Sequence, residues 1–481
     1  MTPAIATSEA LDRAASRRLD VAVLASVALL AAALKGPVLA TPYYWDEMLW
    51  IGFAHELAKR PLWEVLPGFH PLFLFGNRPP GLFLPMAAIF KLTGPSIWLS
   101  HAYSLGFAIA GAFFTYRLAS LWFGSLAGVL AAFLLVVDPV YFAQSAMFLS
   151  DLPTAALAVA AVYFGVRRRF AIYWPCALYL LTLKEPAMAI VAALAAWAFL
   201  VGVRTSFREA VVDGARYAAP LLVIALYYLW QWAATGYPFV HYNYAFEAGS
   251  TDLAAARRQL PWVHHWLLVE QGRWMFSVLI AGALTVGSFR RRSELLLVAL
   301  ILVASGYSYA FLYFLPRYLL PVAPFFYVAA AGALAASLRD ARLQVAGAAM
   351  LAVVTHAAGH PQYGTREWSM GYLPIVRIHQ QACAVIEREL GGRAVRAGFP
   401  FSTILSRPEL GYVDDPIDVV KYRPDAPGDE RSADVIVVGA PGDDGLERYA
   451  REQNLEQIAH FTAGTAYVTI YVDRAQAAHR G

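Results

Sequence analysis

Apolar runs of about 20 residues recur along most of this chain and restrict it to one kind of fold. Backbone groups inside hydrocarbon find no water, so each run must close its own hydrogen bonds as a helix. About eleven runs can be placed, near 20–40, 99–117, 120–138, 152–166, 170–184, 186–203, 217–235, 274–289, 294–315, 318–337 and 343–358. Composition agrees, with 59% of residues hydrophobic and 15% charged, outside the range of soluble domains. Cys176 and Cys383 are too few for a disulfide framework or a zinc site. A net charge of +4, dispersed over 481 residues, argues against nucleic acid as a partner.

The basic residues report orientation instead. Arg13, Arg17 and Arg18, Arg167 to Arg169, Arg204 and Arg208, Arg290 to Arg292, and Arg339 and Arg342 share one side if every run crosses. The positive-inside rule makes that side the cytoplasm. The expected protein is integral to a bacterial-type inner (plasma) membrane, with a cytoplasmic N-terminus and an uncleaved first span. The opposite face receives loop 41–98, loop 236–273 and the tail 359–481. In the tail, Val435 to Gly439 and Ala466 to Val472 read as strands, and Ile378 to Leu390 and Gly445 to Gln453 as helices. The predicted class is a mainly α polytopic membrane protein over 1–358, with a small extracytoplasmic α/β domain over 359–481, packed over the outer loops.

Charge at the outer boundary is the remaining signal. Asp46 and Glu47 follow Tyr43-Tyr44-Trp45 directly after the first run, and Asn77-Arg78-Pro79-Pro80 stands later in the same loop. Ionised groups at a membrane exit need water, a partner or a function. Leu49, Trp50, Phe53, Ala54 and Leu57 share one helical face, which predicts an interfacial helix with its aromatics at headgroup level. An Asp N-cap with Glu in the first turn would explain the acid pair equally well. Asp151, after Ser150 and before Pro153, also reads as a helix start. Lys184 and Glu185 can neutralise each other, and Arg317 can snorkel to headgroups. Together, however, Asp46, Glu47, Asp151, Arg78, Lys184 and Arg317 occupy one membrane face. That set suits transfer from a lipid-phosphate sugar: cations hold the departing phosphate, and a carboxylate takes the proton of the attacking hydroxyl.

The order of these segments resembles the GT-C superfamily of polytopic glycosyltransferases, near the protein O-mannosyltransferases and lipid A aminoarabinose transferases. The resemblance covers roughly 20–340 and rests on Asp46-Glu47, Arg78-Pro79-Pro80-Gly81, Phe148-Leu149-Ser150-Asp151, Leu183-Lys184-Glu185-Pro186 and Pro316-Arg317-Tyr318-Leu319-Leu320-Pro321. It implies a GT-C-like fold and an inverting transfer from a polyprenyl-phosphate-linked sugar to a hydroxyl on a cell-envelope glycan, lipid or protein. Asp46 matches the family's catalytic acidic position, Glu47 is the neighbouring alternative base, and Asp151 matches the second acidic position. Arg78, Lys184 and Arg317 match basic positions expected near the donor phosphate. The chain departs from the pattern at Gly81, where an apolar residue is common, and at Glu185, where the aminoarabinose branch often has Gly.

No cofactor is required by these residues, and a divalent metal is allowed; His70, His264 and His265 lie in outer loops, where the His264–His265 adjacency is poor ligand geometry on a helix and interfacial histidines are expected. The competing class is a polytopic membrane transporter or lipid flippase. It calls for ionisable groups near mid-membrane and broken spans lining a path, whereas the charges here gather at one boundary.

Overall fold

Helix boundaries follow from the chemistry at the ends of the apolar runs. In the computed structural model, which describes residues 3–69, 79–236, 253–311, 314–359, 367–422, 433, 435–439 and 444–473, the chain opens with α1 (Pro3–Lys35), α2 (Glu47–Ala58) and α3 (Phe83–Thr93). Then come α4 (Ile97–Phe123), α5 (Ser125–Val137), α6 (Pro139–Gln144), α7 (Asp151–Val166), α8 (Phe170–Leu181), α9 (Met188–Gly202) and α10 (Phe207–Thr235). The Ser96 hydroxyl accepts the Leu99 N–H to start α4, and the Ser206 hydroxyl accepts the Glu209 N–H to start α10. Asp138 closes α5 and caps α6 by accepting the Val140 and Tyr141 N–H groups, with Pro139 at the first helical position.

The membrane part continues with α11 (Leu253–Leu268), α12 (Arg273–Ala283), α13 (Gly287–Arg290), α14 (Ser293–Ile301), α15 (Ala323–Ser337) and α16 (Ala341–Gly359). Among the described residues, seven helical stretches are long and apolar enough to cross a membrane: 18–38, 97–123, 185–202, 207–235, 293–311, 316–337 and 341–358. The expected spans at 120–138, 152–166 and 170–184 correspond to the shorter apolar helices α5, α7 and α8. The expected span 274–289 is divided into α12 and α13. The protein is therefore a polytopic membrane protein, as its hydropathy requires.

The tail adds α17 (Tyr372–Glu389), β1 (Val395–Ala397), α18 (Phe401–Ile404), β2 (Val419–Lys421), β3 (Val435–Gly439), α19 (Asp444–Glu452), β4 (Glu456–Ala463) and β5 (Ala466–Val472). Its sheet has the order β2-β1-β3-β5-β4. Strand β1 runs parallel to β2 and β3, while β5 runs antiparallel to β3 and β4. The apolar run of β3 is buried on both faces, as its lack of alternation predicts. The short strands β1 and β2 and the more exposed β4 carry weaker patterns.

Two large cores organise the molecule. One joins the membrane helices through Leu134, Tyr141, Val159, Leu194, Phe276 and Tyr327. The other joins the first loop to the tail: Trp50, Phe83 and Met86 pack with Phe148, Tyr372, Ile386, Phe401 and Val468. This changes the expectation for α2. Most of its apolar face meets protein: Trp50 is only 7% exposed, with its ring 6.3 Å from Phe83, and Ala54 and Leu57 are buried, while Leu49 stays 40% exposed. Burying aromatic area against the tail removes it from water as fully as lipid contact would.

Candidate active site

Consecutive acids normally point in different directions on a helix, and here a left-handed residue reinforces that split. Trp45 has φ 51°, a conformation that costs a bulky residue roughly 1–3 kcal/mol. Glu47 turns inward and is 1% exposed. Its Oε1 accepts the Phe148 N–H at 2.5 Å and lies 3.1 Å from His101 Nε2, while Oε2 accepts the Tyr44 N–H at 3.0 Å. His101 is itself anchored through Nδ1, 3.0 Å from the Leu39 carbonyl. Asp46 turns outward. Although it sits at the N-cap of α2, its side chain makes no capping bond, and 39% of that side chain is exposed. The carboxylate instead accepts a hydrogen bond from Arg317 Nη2.

Arg317 lies on a 3-10 turn, Pro316–Val322, whose prolines hold the backbone and whose residues are all buried. Around its guanidinium stand three carboxylates: Asp46 on Nη2, Glu367 with Oε2 2.6 Å from Nη1, and Asp151 with Oδ2 3.6 Å from Nε. Asp151 opens α7 and is 2% exposed; Ser150 precedes it without a side-chain cap bond. Lys184 Nζ donates to Asp151 Oδ1 at 2.5 Å and lies 3.4 Å from the Tyr318 ring centroid. Lys184 thus pairs across space with Asp151, its neighbour Glu185 opening the next turn. A stretch of π-helix, Leu302–Gly306, followed by a 3-10 turn, carries Tyr309 to within 5.6 Å of Lys184, stacked on Tyr318.

Position 81 is set by a close approach between backbones. The Gly81 N–H donates to the Thr182 carbonyl at 2.7 Å, and a Cβ there would meet that oxygen at 2.6 Å. Only glycine permits this approach, which ties the first loop to the backbone two residues before Lys184.

Sequence reasoning missed Glu367. It is 3% exposed, and besides Arg317 it accepts the Asp46 N–H on Oε1 at 2.9 Å. Burial pushes its carboxyl well above the ordinary value, to about 8, against the opposing pull of the Arg317 guanidinium. The signal was present in Glu367-Trp368, an acid beside an aromatic just beyond the last span, as in Trp45-Asp46. Gln144 Nε2 donates to the Glu367 carbonyl at 2.7 Å and fixes this segment over the membrane core.

Of the residues singled out in the sequence, Asp46, Asp151, Lys184 and Arg317 converge in one ion-pair network, and Glu47 stands behind it. Arg78 and His70 lie outside the described residues. His264 and His265 lie with Tyr307 and Glu270 respectively, and among the described residues no three His, Cys, Asp or Glu side chains gather as metal ligands.

Fold and site together define a polytopic membrane protein with a charged cluster where several apolar helices end. Two crystal structures of ArnT from Cupriavidus metallidurans share this architecture, one in the apo state and one bound to undecaprenyl phosphate. Each matches with a TM-score of 0.58 at 15% sequence identity, covering 95% of this chain and 98% of that one. ArnT is a lipid A aminoarabinose transferase with the GT-C fold, and the present chain shares that fold. No protein-family model matches the chain, and no curated protein matches it by sequence.

Proposed function

We propose that the chain is an inverting glycosyltransferase that moves a sugar from a polyprenyl-phosphate carrier to an acceptor hydroxyl. The observation that carries this reading is the exposed Asp46 carboxylate, held by Arg317 in front of the buried Asp151–Lys184 pair. An acid reachable by substrate, with fixed cations behind it, fits proton removal at one end of a displacement and charge neutralisation at the other. The ArnT fold, with one structure bound to undecaprenyl phosphate, supports the donor class.

In this reading the acceptor oxygen attacks the anomeric carbon as the bond from that carbon to the phosphate oxygen breaks. The hydroxyl proton passes to Asp46, and the carrier leaves as polyprenyl phosphate. Asp46 is favoured over Glu47 as base because Glu47 is enclosed by His101 and two backbone amides. Glu47 instead holds the turn that presents Asp46. Asp151 orients Lys184 and Arg317, and these two, with Arg78, serve the donor phosphate. Residues 1–358 form the transferase part and 359–481 the outer domain, in an inner (plasma) membrane with the N-terminus cytoplasmic.

The test is direct. Purified protein is examined by native mass spectrometry for a retained carrier-linked sugar, and Asp46→Asn is compared with wild type in transfer from that donor. Loss of turnover with the donor still bound is expected. Near-normal turnover in the variant would remove Asp46 as the base; an absence of any polyprenyl-phosphate binding would favour transport.

A further inference from the structure

Lys35 is a second buried cation, and the transfer reaction does not use it. It ends α1, is 1% exposed, and has Nζ 3.1 Å from Met370 Sδ and 3.8 Å from the Phe142 ring centroid. Among the described residues no carboxylate lies within ion-pairing distance of it. A thioether is a weak acceptor and a ring face a modest attraction, so an ammonium enclosed by them lacks a counter-charge. Beside it runs a groove of about 350 Å³, counting its open side, lined by Leu30, Ala31 and Leu34 of α1 and by Leu105, Ile109 and Val136. Helix α1 is otherwise thinly packed. Fifteen residues before Lys35, near the middle of the helix, Asp20 accepts from Tyr116 at 3.1 Å and pairs with Arg117, and Leu29 between Asp20 and Lys35 is 71% exposed.

We propose that this groove binds an anionic glycerophospholipid, with its phosphate on Lys35 and one acyl chain along α1. The enclosed charge asks for an anion, and the apolar slot asks for hydrocarbon attached to it. Lys35 takes no part in the ion pairs that link Asp46, Asp151, Lys184 and Arg317, so the proposed seat has its own cation. Met370, on which the ammonium rests, lies three residues along the chain from Glu367.

The full chain, delipidated in detergent, is titrated with phosphatidylglycerol and with phosphatidylcholine of the same acyl composition, and bound lipid is counted by native mass spectrometry. Selective retention of phosphatidylglycerol is expected. Lys35→Met should weaken it by about tenfold or more, while raising the lipid-free melting temperature because an unpaired charge is gone. Ala31→Trp, which fills the slot and keeps the lysine, should weaken it as well, and Lys35→Arg should preserve it. Equal retention of both lipids, or undiminished phosphatidylglycerol binding in Lys35→Met, overturns the proposal. Preferential binding of undecaprenyl phosphate through Lys35 overturns the choice of lipid.

Discussion

Arg317 shows how one side chain sets the geometry of several others. A guanidinium offers donors in a planar fork, and here the fork faces Asp46, Glu367 and Asp151 at once. Lysine cannot span three carboxylates, so Arg317→Lys should lose activity despite keeping its charge. Arg317→Ala should destabilise the protein by about 3–5 kcal/mol, since it strands buried carboxylates; thermal unfolding in nanodiscs measures this. Glu367 gives a pH signature. Its carboxyl titrates near 8 in the folded protein against an ordinary 4.5, so the native state binds the extra proton between those values. Stability should therefore fall as pH rises from 4.5 to 8. Glu367→Gln, which keeps an acceptor for the Asp46 amide, should flatten that fall. A wild-type protein that instead gains stability over this window would mean that Arg317 holds Glu367 ionised. Four of the site's charged residues could be read from the sequence because, although each has an innocent explanation alone, together they gather on one expected membrane face. Glu367 was harder to read, because the acid-beside-aromatic signal is weak and its partners, Arg317 and Asp46, lie 50 and 321 residues away in the chain.

At the scale of elements, close approach between backbones decides where Lys184 stands. Gly81→Ala would drive a Cβ into the Thr182 carbonyl, so the first loop and α8 must separate. Loss of activity should accompany a drop in melting temperature. The helix α17 carries a different constraint. His379 is enclosed beside Phe401 and Tyr412, and burial lowers its pKa to about 4. The unfolded chain binds the proton first, so stability present above pH 6.5 is lost as pH falls toward 4. The full shift corresponds to about 3 kcal/mol. Denaturation of His379→Leu across this range should show a shallower acid loss than wild type.

For the whole molecule, the decisive fact is that the first loop and the tail share one core. His55 on α2 lies 3.3 Å from Glu409, which also receives Arg407, so polar contacts pin the same interface. A chain ended at residue 366 would expose Trp50, Phe83 and Met86 and would lose Glu367. It should aggregate or elute polydisperse on size exclusion in detergent, and should show no transfer even where membrane insertion persists. A monodisperse, active truncation would show that the tail is dispensable.

Hydropathy alone determined that the chain is a polytopic, mainly helical membrane protein and where the strands β3 and β5 run, because these depend on local pattern and on the cost of backbone in hydrocarbon. The shared order of the charged segments also pointed to the GT-C fold before any contact was known. Tertiary structure decided the rest: that α2 packs most of its apolar face into a protein core, that Asp46 and Glu47 part ways at a left-handed Trp45, that Lys184 pairs with Asp151, and that Glu367 completes the cluster. Those outcomes depend on contacts between segments far apart in the chain, and a one-dimensional pattern carries no information about which distant surface will cover a given face.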